Sequence, residues 1–240
     1  MAHDFRSADH LPKRRPDGMP PPPERLPRQR RGTTPQMHGR YPDYDVLSHA
    51  RHWDEVTRRV VVGRAGQTPP IRFFDAREQR TLRAFCDLVT AQDAEPRIPV
   101  LEMVDAKLAA GELDGYRHHD MPEDPQTWRL VAAGLDEAAG GSFADLSPEE
   151  GERLVSLFAR GELTGGVWER LPCGKAWGVV MRAVLAAFYS HPWAWNEIGY
   201  GGPAYPRGYM RLGVGQREPH QADEVGEEDS VRAVREAGLP

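Results

Sequence analysis

Apolar residues recur at three- and four-residue spacing in six stretches of the chain, and no region alternates with a period of two over several strands. That pattern predicts amphipathic helices and no sheet. The first helix is expected over 48–62, with Ser48 as its cap, Leu47 before it, Trp53, Val56 and Val60 on one face, and Gly63 as its stop. Leu82, Phe85, Cys86 and Val89 predict a second over 76–92, opened by a capping box at Asp75 and Glu78. Leu101, Val104 and Leu108 predict a short helix from Val100 to Ala110, with Gly111 ending it. Trp128, Val131, Ala132 and Leu135 predict one over 125–139. Ser147-Pro148-Glu149-Glu150 opens another, with Leu154, Leu157 and Phe158 as its stripe. The longest apolar surface, Trp177, Val180, Met181, Val184, Leu185 and Phe188, predicts a helix over 173–189 at the centre of the domain.

Pro192 should stop that helix. The stretch from Phe188 to Leu212 then carries two Trp, four Tyr, four Gly and three Pro. Pro and Gly interrupt each turn, so neither a regular helix nor a central strand is expected there. So many aromatic rings call for burial against the domain body, a ligand or another chain. The expected fold is mainly α, an irregular or orthogonal bundle of about five or six helices. An extended Pro/Arg-rich arm precedes it and a Gly/aromatic loop follows. The chain divides into an arm over 1–47, a leading helix and linker over 48–70, the helical domain over 71–215 and an acidic tail over 216–240, with a short helix at 227–237.

Charge refines this division. The net charge is −5, but residues 1–40 carry +5 and residues 218–240 carry −5. Eight prolines in the first forty residues favour extended geometry. Arg25, Arg28, Arg30 and Arg31 are placed to meet acidic groups on a partner along which the arm lies. A short basic segment on an acidic chain is a poor nucleic-acid signal. No apolar run reaches eighteen residues, so no transmembrane segment is expected. Lys13-Arg14-Arg15 is followed by prolines where a signal peptide needs an apolar run. No signal peptide is expected, and the compartment stays open between the cytoplasm and co-export with a partner to the periplasm or cell exterior. Cys86 and Cys173 are read as buried thiols, a disulfide between them being the alternative.

Cofactor motifs are missing. No Gly-x-Gly-x-x-Gly turn follows a strand, no phosphate loop is present, and no cysteine set suits haem or an iron–sulfur cluster. No cofactor is expected in this chain. His118-His119-Asp120, with His191 or Glu197, poses a metal question, but no ligand spacing supports one. The region around Tyr189, His191, Trp193, Trp195, Asn196 and Glu197, continued by Tyr205, Arg207 and Tyr209, reads better as a partner interface. In it the two Trp are the anchors.

Phe73-Phe-Asp-Ala-Arg-Glu78, Phe85-Cys-Asp-Leu-Val89, Arg97-Ile-Pro99 before Val104-Asp105, Tyr189-Ser-His-Pro192, Gly199-Tyr-Gly-Gly-Pro203 and Tyr205-Pro-Arg-Gly-Tyr209 carry a resemblance over roughly 73–212. Here the chain resembles the gluconate 2-dehydrogenase subunit 3 family. The resemblance implies a non-catalytic small subunit that binds and stabilises, or helps mature, a large FAD-dependent oxidoreductase subunit of the glucose-methanol-choline type. That partner would oxidise a sugar, sugar acid or alcohol. A cytochrome subunit or another acceptor would take the electrons. Many relatives carry a twin-arginine signal where this chain has its Pro/Arg arm. Two alternatives stand beside this reading: a stand-alone helical enzyme using the His118/His119/His191 region, and a general scaffold protein without a redox role.

Overall fold

A computed structural model of the protein describes residues 44–92, 95, 97–112, 115–211 and 218–222. Seven α-helices and three 3-10 helices, and no strand, make up its regular structure among the described residues. The fold is mainly α, as the periodicity predicts. The arm with Arg25, Arg28, Arg30 and Arg31, and the helix expected at 227–237, lie outside the described residues. The chain forms two compact units: a central unit, Thr68–Phe188, and a terminal unit made of the residues up to Gln67 and those from Tyr189 onward.

In the central unit, the helices begin and end where their sequence signals stand. Helix α2 (Ala76–Val89) opens with the capping box: the Asp75 carboxylate accepts from the Glu78 N–H at 2.8 Å, and the Asp75 N–H donates to the Glu78 carboxylate at 3.0 Å. Helix α3 (Val100–Ala110) ends at Gly111, whose φ of 70° is left-handed and suits glycine. Helix α4 spans Asp124–Ala138. Helix α5 (Pro148–Arg160) repeats the capping box with Ser147 and Glu150 and has Pro at its first position. Helix α6 spans Cys173–Tyr189. Contacts run from α2 to α3, α4 and α5, so α2, rather than α6, is the hub. Phe85 and Phe158 sit with Trp177 at the centre, the ring centroids 5.2–6.2 Å apart.

Several buried polar groups in this unit find hydrogen-bond partners, while Arg97 Nε and Glu102 Oε2 do not. The fully buried Asp105 carboxylate accepts from three successive backbone N–H groups, those of Arg72, Phe73 and Phe74, at 2.6, 2.9 and 2.9 Å. It thereby fixes the entry to α2. Asp136 accepts from Thr81 Oγ1, Arg77 Nε and the Phe143 N–H at 2.7–3.0 Å. Burial alone would raise its pKa, but these donors hold it below the usual carboxylate value. The Gln92 amide brackets Ile98, donating to its carbonyl and accepting from its N–H. Trp168 Nε1 donates to the Gly134 carbonyl at 3.2 Å, and a Cβ on Gly134 would stand 2.6 Å from that indole. Cys86 and Cys173 are both free and buried.

The terminal unit departs further from expectation. In place of one helix over 48–62 there are two: a 3-10 helix over Val46–His52 and α1 (Glu55–Gly66). Asp45 caps the first and Asp54 the second, where Ser48 was expected to act alone. The break changes the face. Val56 and Val60, expected inward, are exposed, while Val61 is buried with Val46, Leu47, Ala50, Trp53 and Trp195. The Gly/aromatic stretch also contains a helix, α7 (Pro192–Ile198), contrary to expectation. Pro192 does not only end what precedes it: it occupies the first position of α7, where no N–H is needed. This adds to the helix count.

Candidate functional site

The stretch after residue 188 builds two layers of side chains. The inner layer starts at His191, the cap of α7: its Nδ1 accepts from the Trp193 N–H at 3.2 Å. Burial pushes its pKa down to about 4, so the imidazole is neutral and keeps that lone pair. Trp193, Trp195 and Asn196 are buried beside it. Trp195 Nε1 donates to the Tyr189 carbonyl, and its ring meets Tyr200 edge-on at 5.3 Å. Asn196 Oδ1 accepts from the Val46 N–H at 2.8 Å, and Arg64 donates to the Ser190 carbonyl at 3.0 Å.

Glycine permits the return of the loop onto this layer. Gly202 has φ 74° and lies so close to Trp53 that a Cβ would stand 2.8 Å from the indole. Gly201 approaches His220 equally closely. Tyr44 Oη donates to the His220 carbonyl at 2.8 Å. The Glu218 carboxylate accepts from the backbone N–H groups of Met210 and Arg211. Burial works to raise its pKa, but these two bonds leave it lowered.

The outer layer is exposed and apolar. Tyr189, Tyr200, Tyr205, Tyr209 and Met210 are 41–70% exposed, and all five lie within 22 residues of chain. Such side chains, spread from the end of α6 to Met210, offer large contact area with few rotatable bonds.

The expected interface residues therefore separate. Tyr189, Tyr205 and Tyr209 are exposed; Glu197 and Arg207 are half-buried; His191, Trp193, Trp195 and Asn196 are interior. The Trp pair, expected as anchors, packs inside the unit; of the two, Trp195 meets Tyr200 and the Tyr189 carbonyl, while Trp193 meets His191. Tyr200 and Met210 complete that layer and were not singled out from sequence. Their signal was present in the same aromatic-rich stretch.

The residues of the metal question are occupied locally. Asp120 pairs with Lys175, which lowers its pKa, and His118 stacks edge-on against Tyr116 at 5.3 Å. His191 is engaged in its cap. No group of three or more His, Cys, Asp or Glu among the described residues is arranged to hold a metal ion. The central unit has a groove of about 200 Å³ floored by Val104, Leu108, Trp128, Val179, Ala183 and Ala187 and rimmed by charges. It is small beside typical small-molecule sites of ~300–1,000 Å³.

The described residues define a helical protein with four exposed Tyr and an exposed Met concentrated between residues 189 and 210. The family model described as gluconate 2-dehydrogenase subunit 3 matches residues 76–202, and the chain belongs to that family. Membership implies a companion subunit of a dehydrogenase complex. No curated protein and no solved structure matches the chain. No helix among the described residues is long and apolar enough to cross a membrane.

Proposed function

We propose that this protein is a non-catalytic small subunit that binds a large FAD-dependent oxidoreductase subunit and stabilises it or helps it mature. The partner oxidises a sugar, sugar acid or related alcohol, with the flavin held in the partner and electrons passing to a cytochrome or other acceptor. The observation that carries the docking role is the exposed Tyr189/Tyr200/Tyr205/Tyr209/Met210 layer over a buried Trp/His/Asn floor. A surface of this kind gains about 25 cal/mol for each Å² of apolar area it covers. It also loses little side-chain entropy, because its scaffold is already ordered. The basic arm with Arg25, Arg28, Arg30 and Arg31 adds an electrostatic contact to acidic groups on the same partner.

A native pull-down from source cells, with mass spectrometry and a visible spectrum, tests this reading. The expected result is a large partner with flavin bands near ~370 and ~450 nm. A colourless protein with no partner would overturn it.

A further inference from the structure

Among the described residues, the terminal unit contains a cation, Arg207, with no counter-ion. Arg207 donates through Nη2 to the carbonyls of Gly201 and Pro203 at 3.1 and 3.2 Å. Its Nε and Nη1 are buried and meet no acceptor. It forms no ion pair among the described residues. Asn196 Nδ2, Trp53 Nε1, His49 Nδ1 and His220 Nε2 are also buried and without a partner. All four of those residues are more than nine-tenths buried.

These groups belong to one neighbourhood. The Gly201-Gly202 backbone, to which Arg207 is tied, lies against His220 and Trp53. Tyr44, bonded to the His220 carbonyl, stacks near His49 with centroids 6.2 Å apart. Burial lowers the pKa of both His49 and His220 to about 4, and the charge of Arg207 acts on each in the same direction. Both imidazoles are thus neutral and carry one N–H each. The buried carboxylate of this neighbourhood, Glu218, is spent on the Met210 and Arg211 backbone.

Among the described residues the unpartnered nitrogens of Arg207, Asn196 and Trp53 are all donors, and each neutral imidazole can turn its N–H to the same acceptor. A guanidinium withdrawn from water without a counter-ion is costly, and its planar donors match the paired oxygens of a carboxylate, the anion that a polypeptide itself supplies. Arg207 is half-buried and lies in the chain between exposed Tyr205 and Tyr209, so its charge sits at the margin of the aromatic layer. We propose that Arg207 receives a carboxylate supplied by the polypeptide of the partner subunit, with His49, Asn196 and His220 as the neighbouring polar groups. This rests on the companion-subunit reading and gives the partner a chemistry: an acidic side chain or chain terminus framed by apolar surface.

Two measurements on the full-length chain test it. The first is thermal unfolding in sodium acetate against sodium chloride at equal ionic strength. Acetate is expected to raise the midpoint of the wild-type chain and not that of Arg207→Met. Equal midpoints of the wild type in the two salts would overturn carboxylate binding. The second is affinity for the co-expressed large subunit. Arg207→Met is expected to lose about tenfold or more, and Arg207→Lys, which keeps the charge but not the planar donors, an intermediate amount. Should Arg207→Met fail to fold, Arg207→Lys carries the second test. Wild-type affinity in the folded variants, with acetate still stabilising the wild type, would overturn the partner as source in favour of a free small carboxylate. If the wild-type chain captures no flavoprotein at all, the companion-subunit reading fails, and the acetate measurement alone judges the site.

Discussion

Among the described residues, the central and terminal units differ in how many buried polar atoms go without a hydrogen-bond partner. In the central unit Asp105 takes three backbone donors, Asp136 takes three more, and Gln92 closes both of its bonds on Ile98. In the terminal unit His49, Trp53, Trp193, Asn196, Arg207 and His220 each leave a buried nitrogen without a partner among the described residues. An unmade buried hydrogen bond costs about 1–3 kcal/mol. A region that tolerates several is not optimised for its own stability. The central unit leaves two such atoms, Arg97 Nε and Glu102 Oε2, and the terminal unit leaves more, so unmet hydrogen bonding is concentrated in the terminal unit among the described residues.

The largest expected effect is in the core of the terminal unit. Trp195→Ala removes a ring packed with Val46, Leu47, Trp53 and Val61 and should cost about 3–5 kcal/mol in urea unfolding. Partner binding should fall with it, because the Tyr layer loses its floor. A loss of binding without loss of stability would instead make Trp195 a direct contact. Next comes Asp105→Ala, which strands three N–H groups at the entry to α2 and should cost roughly 3 kcal/mol. A cost under about 1 kcal/mol would mean that the contrast between the units is overstated.

Acid should separate the units. His49, His191 and His220 are lowered from 6.5 to about 4 in the folded protein, chiefly by burial. Below pH 6.5 the unfolded chain therefore binds more protons than the folded one. The stability these residues contribute is complete above that pH and declines as pH falls through 4. Hydrogen exchange followed from pH 7 to 4 should show protection lost in 44–67 and 189–211 before 76–188. Loss in the reverse order would contradict the assignment of neutral histidines to the terminal unit. The smallest effect on stability belongs to Tyr205→Ser with Tyr209→Ser, within about 0.5 kcal/mol because both are exposed. Its effect on co-purification with the large subunit should be plain, and undiminished capture would remove the Tyr layer from the interface.

The sequence was most legible where the deciding interaction is local. Asp75 with Glu78 and Ser147 with Glu150 are three residues apart, and both capping boxes form as read. It was less legible where a signal has two meanings. Pro192 stops one helix and starts another. Asp54 outcompetes Ser48 as a cap, which turns Val56 and Val60 outward. Long-range satisfaction was not legible at all: Asp105 finds its donors more than thirty residues upstream. The burial of Trp193 and Trp195 and the unmet charge of Arg207 belong to the same class, since pattern alone does not say which side chains end up without partners.

The two cysteines carry a consequence for the life of the molecule outside a test tube. Cys86 is enclosed by α2 packing and Cys173 faces the Phe158 carbonyl, and burial pushes both thiols up in pKa. Neither is a ready thiolate, and oxidants meet little sulfur surface. The two thiols therefore stay as thiols in reducing and in oxidising surroundings. Carried from one to the other in a complex, the chain would arrive without new cross-links to make or old ones to break.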